Sequence, residues 1–140
     1  MKRFPYKKLH KYPHLLAEDV VLWNRFIEQH PNRFDYCDYD VHVGDGTKLP
    51  DDYEPNYKKM AKELSQFRID AVGWKGNIPT IIEIKPRAAT TAIGQIVVYR
   101  TLFKKDFPQY PNPKAMIVTD WDHEEIFSIA FENDIYLVTV

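Results

Sequence analysis

Apolar and polar positions alternate along this chain with two periods, and the change from one to the other marks out the elements. In "PHLLAEDVVLWNRFIEQHP" the apolar residues recur at helical spacing, with Pro13 near the start and Pro31 after the end, so a helix of about four turns is expected. "FDYCDYDVHVG" has period two instead. Cys37, Tyr39, Val41 and Val43 fall on one face and Tyr36, Asp38, Asp40 and His42 on the other, as in a strand with one wet side. Residues 44–66 open as a loop with glycines and prolines; from about Pro55, Tyr57, Met60 and Leu64 share one side of a short helix. Two strands follow in "FRIDAVGWKGNIPTIIEIKP". "TTAIGQIVVYRTLFKKDFP" is helical, with Thr90 or Thr91 as the N-cap. "KAMIVTDW" has the composition of a buried strand. Asp122 and Glu125 are spaced as a capping box that opens the helix "HEEIFSIAFEN", and "IYLVTV" is a last strand. The order αβββαβαβ predicts an α/β chain in which an antiparallel meander is continued by helix-linked strands, giving a mixed central β-sheet flanked by helices.

At 140 residues the chain suits one domain, with residues 1–12 as a basic N-terminal arm and 44–66 as an insertion. The formal net charge of −1 provides no global positive field, so any phosphate binding must come from a local patch. A single cysteine, Cys37, excludes a disulfide framework and a cysteine-based zinc site and fits a reducing compartment. The N-terminus lacks the apolar core of a signal peptide and no apolar run could span a bilayer, which predicts a cytoplasmic protein. The histidines have no zinc-ligand spacing, and no glycine loop is present to cradle a phosphate.

Charged residues inside the two quoted strands need a reason. Gly76 and Asn77 both tolerate positive φ and suit the centre of a two-residue hairpin turn. In that register Lys75 faces Ile78, Trp74 faces Pro79, and Asp70 faces Glu83 with Cβ atoms about 4.5–5.5 Å apart. Val72 and Ile81 share the face of Asp70 and Glu83, with Lys85 two residues on; Ile69, Ala71, Ile82 and Ile84 fill the other face. Two carboxylates opposed on a buried sheet repel each other unless a cation joins them, and hard oxygens at this spacing suit Mg2+ or Mn2+.

"RID" followed by "IIEIK", with a helix before and a helix after, resembles the PD-(D/E)xK nuclease superfamily, whose fold is restriction-endonuclease-like. The resemblance covers about Leu15 to the C-terminus, with Ile69 standing where the name-giving proline would be. It implies that Asp70 and Glu83 bind the metal with the backbone carbonyl of Ile84, and that Lys85 orients the attacking water or the scissile phosphate. Many members also carry a glutamate in the first helix near the metal. Glu18 shares a face with Val21, Leu22 and Phe26 and is the candidate; the alternative is an acid favoured only by the helix dipole. In the helix after the triplet, Gln95 and Tyr99 at i and i+4 resemble the Q-x-x-x-Y signature of the RecB-like branch, which implies that they line the site.

The expected activity is metal-dependent hydrolysis of phosphodiester bonds, in DNA before RNA, using one or two Mg2+ or Mn2+ ions. The rivals are a junction resolvase of the same fold, which as a homodimer would pair two sites, and a non-catalytic nucleic-acid-binding module. The small size without a helicase motor suggests a stand-alone enzyme or a phage or mobile-element product. For grip, the arm offers Lys2, Arg3, Lys7, Lys8 and Lys11 interleaved with Phe4, Tyr6 and Tyr12, either following phosphates and stacking on bases or forming a solvated tail. Arg87, Arg100, Lys104 and Lys105 flank the expected site.

Overall fold

The computed structural model describes residues 3–140; Met1 and Lys2 of the expected arm lie outside the described residues. The elements are β1 (Arg3–Pro5), α1 (Ala17–Gln29), β2 (Tyr36–Val43), α2 (Pro55–Ser65), β3 (Phe67–Lys75), β4 (Ile78–Ile84), α3 (Thr90–Asp106), β5 (Lys114–Thr119), α4 (Glu124–Glu132) and β6 (Ile135–Thr139). All strands join one sheet in chain order. Pairing is antiparallel from β1 to β4 and parallel from β4 to β6. The chain is therefore α/β with a six-stranded mixed sheet and four helices, and the meander followed by helix-linked strands is as the pattern predicts.

Each face of the sheet carries an apolar layer. Trp23, Phe26 and Ile27 of α1 pack with Cys37, Tyr39, Ala71, Ile82, Ile84 and Met116. On the opposite face Ala92, Ile96 and Phe103 of α3 pack with Val72, Trp74, Ile81 and Ile117. With a helix packed on each sheet face, β4 and β5 are nearly all apolar, the composition expected of strands buried on both sides.

Local differences have local causes. The arm is not a loose tail: β1 pairs with β2, and the aromatics expected to stack on bases pack inward instead. Phe4 and Tyr12 meet Tyr39 edge-on, and Tyr6 meets Trp23 and Phe34. The Tyr12 hydroxyl donates to Asn24 Oδ1 at 2.6 Å, tying the segment to α1. Helix α3 begins at Thr90 behind Ala89, which makes no side-chain cap, so neither threonine caps it. Helix α4 is capped one residue later than the capping box suggests, by His123 accepting the Ile126 N–H. The turn uses positive φ at Gly76 only (57°), the glycine-first form of hairpin turn. The polar face of β2 is not wet either. Asp38 is buried, one oxygen accepting the Trp74 indole N–H at 2.8 Å and the other without a hydrogen-bond partner among the described residues.

Candidate functional site

The hairpin holds the predicted register from Lys75–Ile78 to Ala71–Ile82. There the β3–β4 ladder ends. In the alternation of an antiparallel pair, the next N–H due to β3 is that of Ile84; it donates instead to Asp70 Oδ2 at 2.8 Å. A carboxylate thus replaces a main-chain acceptor, and β4 continues against β5 alone through Glu83–Ile117 and Ile84–Val118.

The β2–β3 pair is disturbed at the same level. Between the Tyr39–Ala71 and Val41–Ile69 pairs stand Asp40 and Asp70, and Asp40 has the left-handed φ of 53°. Tyr39 and Ala71 belong to the α1 layer, whereas Val41 and Ile69 belong to the α3 layer. The strict alternation expected of both strands therefore fails here: Val41 and Val43 leave the face of Cys37 and Tyr39, and Ile69 leaves that of Ala71. A local change of face of this kind re-aims a side chain, as bulges beside functional sites do.

Asp70 and Glu83 meet across the opening, close enough for each to perturb the other's charge. Burial raises the pKa of both well above the usual carboxylate range. The Ile84 N–H pulls Asp70 back, and the negative charge of Asp70 pushes Glu83 further up. Lys85 lowers both without cancelling the effect, so the pair resists losing its protons unless a further cation is present. The Lys85 N–H is fixed on Val118 O at 2.9 Å, which holds the residue at the C-terminal end of the parallel strands. Ligand sites in α/β sheets gather at that end.

The helices supply three more groups. Tyr99 is buried, and its pKa is pushed up to about 12 by burial and by the charges of Glu83 and Asp70. Gln95, one turn before it, has its side-chain oxygen buried without a hydrogen-bond partner among the described residues. Both lie on the inward stripe as expected. Glu18 does not: it is exposed, and the α1 acid whose charge reaches Asp70 and Glu83 is Asp19. Burial raises Asp19, with Lys85 acting to lower it. The inward stripe is Leu22, Trp23, Phe26 and Ile27, with Val21 exposed, so it sits one position further round than a stripe drawn through Val21. Counting back from it by three, four, seven and eight reaches Asp19.

The expected nucleic-acid contacts divide. Arg87 is exposed just past Lys85, at φ 49°, its N–H held by Asp120 Oδ1 at 2.8 Å and its guanidinium 5.9 Å from the Trp121 ring. Lys7 and Lys11 are exposed. Lys8 is paired with Glu28, in the last turn of α1 and at the opposite end of that helix from Asp19. Arg100 is committed elsewhere: its guanidinium donates to the carbonyls of Asn133 and Asp134 at 3.0 and 2.9 Å, closing the end of α4. It lines a cleft with Lys114 and Ile135, at the starts of β5 and β6 and so at the far end of the sheet from Lys85.

The donor set suits a hard divalent ion that keeps water. Among the described residues no three His, Cys, Asp or Glu side chains converge to hold an ion by themselves. Asp70 and Glu83 are two adjoining carboxylates whose charges are frustrated, and Mg2+ commonly takes one or two carboxylates and fills its other positions with water and phosphate oxygens. Compared with protein-family models, curated proteins and solved structures, the chain matches none.

Proposed function

We propose that this chain is a metal-dependent nuclease of the PD-(D/E)xK superfamily, with the restriction-endonuclease-like fold, hydrolysing phosphodiester bonds in DNA. The observation that carries the reading is the meeting of Asp70 and Glu83 where the β3–β4 ladder ends, beside Lys85. Buried carboxylates that face each other disfavour the apo fold, and a site that binds cations is the economical reason for them.

Asp70, Glu83 and the Ile84 carbonyl would hold one or two Mg2+ or Mn2+ ions. When bound, the ion supplies Lewis acidity toward the phosphate and a water of lowered pKa. The chain does the rest. The Ile84 N–H holds Asp70 Oδ2, which fixes the carboxylate plane and aims the other oxygen for a cation. Lys85 would offset negative charge as it builds on the phosphate, its compact ammonium already favouring the charged forms of both acids. Tyr99 keeps its proton beside two acids and so is a donor at neutral pH. Gln95 offers a buried oxygen still seeking a donor, which a water or the Lys85 ammonium can satisfy. Asp19 adds negative charge at the mouth of the site.

The test is purified protein with Mg2+ or Mn2+ against single-stranded, duplex, flapped and four-way DNA, beside Asp70→Ala and Lys85→Ala. Cleavage by the wild type and none by either variant is expected. Robust cleavage by Lys85→Ala would refute the assignment.

A further inference from the structure

A cleft of about 150 Å3 runs beside Asp70, lined by Pro13, His14, Asp40, Arg68 and Ile69. Its wall is a connected polar cluster built on Asp40. Arg68 grips that carboxylate through Nε and Nη2 at 2.7 and 2.8 Å. His14 Nε2 and His42 Nε2 each approach Asp40 Oδ2 at 3.3 Å. Asp40 is half-buried, and although burial raises its pKa, the Arg68 hydrogen bonds and charge outweigh that and hold it below the usual range.

Two of these residues have backbone that only glycine adopts freely: His14 at φ 59° and Asp40 at φ 53°. Such conformations are strained for a residue with a Cβ and persist where the surroundings impose them. They face one another across the cleft, joined by the 3.3 Å contact. The strain at His14 brings its ring to Asp40, and the strain at Asp40 accompanies the change of face that re-aims Asp70.

We propose that this cleft is a subsite for a backbone phosphate next to the one cleaved, with His14 and Arg68 as its donors. The identity of the ligand rests on the nuclease reading; the chemistry of the cleft selects the anion. Asp40 is already matched by Arg68 and two imidazoles, so its charge is spent. Arg68 is held by one edge, which leaves Nη1 without a partner among the described residues, and His14 Nδ1 likewise has none. Arg68 thus keeps a donor edge that Asp40 does not use, and His14, whose Nε2 faces Asp40, donates from Nδ1 as the imidazolium that a bound phosphate favours. The volume is below that of ordinary small-molecule pockets and suits a phosphate group rather than a nucleoside. Asp70, at one end, places the subsite adjacent to the reacting phosphate.

His14→Gly is the informative variant, since it deletes the ring at a position where glycine has no backbone penalty, and its melting temperature should hold or rise. Arg68→Gln removes the second donor. The probe is a fluorescein-labelled single-stranded oligonucleotide, titrated in EDTA at several salt concentrations, so that binding is read apart from cleavage. His14→Gly should weaken binding about tenfold and lower the salt slope by about one phosphate. In Mg2+ its KM should rise by a similar factor with kcat within about twofold of wild type, as for a contact equally strong in ground and transition states. A well-folded His14→Gly that binds as wild type overturns the subsite, and so does a loss confined to kcat. If the wild type binds but cuts nothing, the nuclease reading falls, while weakened binding by His14→Gly still supports the subsite.

Discussion

Glu83→Gln turns the central electrostatic claim into a measurement. Both acids of the pair have folded-state pKa values raised above the unfolded ones, chiefly by burial and then, for Glu83, by Asp70. The folded state therefore binds more protons than the unfolded state once pH passes the ordinary carboxylate range, and stability must fall as pH rises through the folded values. Two like charges about 4–5 Å apart at an effective dielectric constant near 20 repel by roughly 3–4 kcal/mol. Lys85 offsets part of this, so about 2 kcal/mol is a fair net figure. Gln keeps the shape of Glu83 without the charge. In EDTA the variant and wild type should melt together near pH 5, while near pH 9 the variant should melt higher by roughly 6–8 °C, at about 3–4 °C per kcal/mol for a domain of this size.

Metal must reverse the order. A divalent ion at about a hundred times its Kd stabilises the folded wild type by roughly 2.7 kcal/mol, or some 8–10 °C, and should do far less for a site missing one carboxylate. Thermal melts of both proteins across pH, in EDTA and in Mg2+ or Mn2+, decide it. A wild type that gains nothing from either ion, or a Glu83→Gln protein that gains as much, would show that the carboxylates do not share a cation.

Three further outcomes check other parts of the structure. Lys85→Ala, expected to lose cleavage, should keep most of the metal-induced rise in melting temperature, because a cation is not a metal ligand; loss of that rise would move Lys85 into the metal site. Gly73→Ala should destabilise by about 1–3 kcal/mol, since a Cβ there would stand 2.7 Å from three carbons of the buried Phe34 ring, and an unchanged denaturant midpoint would refute that contact. Trp74→Phe removes the one donor that the buried Asp38 has among the described residues, its other oxygen having none there, and should cost about 1–3 kcal/mol. Burial has already raised the Asp38 pKa, so this loss should grow as pH rises; a pH-independent loss would place the effect in packing alone.

The fold was legible wherever local pattern and long-range pairing agree. The hairpin register followed from where a turn can form, because a two-residue bend fixes every rung after it. The inward placement of Gln95 and Tyr99 followed from helical spacing alone. Basic residues dominate the composition of the arm and suggest a solvated or phosphate-following segment, whereas Phe4, Tyr6, Leu9 and Tyr12, spaced between the lysines, decide where it packs. Glu18 and Asp19 could not be separated by spacing while the stripe was drawn through Val21. The deep residue is Trp23, and centring the stripe on the largest side chain moves it one position to Asp19.

The least legible feature is also the one on which the site depends. Period-two reading assumes an unbroken pleat, so it assigns Val41 to the face of Tyr39 and Ile69 to that of Ala71. Nothing in "DYDVHV" or "RIDAV" announces the change, since aspartate tolerates left-handed backbone but also occurs in regular strands. What forces it is the set of partners that surround the two aspartates: Arg68 and two imidazoles draw Asp40 out of line, and the Ile84 N–H takes Asp70. An unbroken sheet would set Asp70 as one more rung, its carboxylate held flat against Val72 and Ile81. The break separates β3 from β4 just where the acids stand, and it opens toward the His14 cleft. Restoring regular strand pairing should therefore harm function more than stability. Asp40→Val, a residue made for the pleat, is expected to fold yet to lose metal-induced stabilisation, because the backbone that aims Asp70 would be gone. A variant that folds and still binds the ion as tightly as wild type would separate the geometry of Asp70 from the strain at Asp40 and refute this coupling.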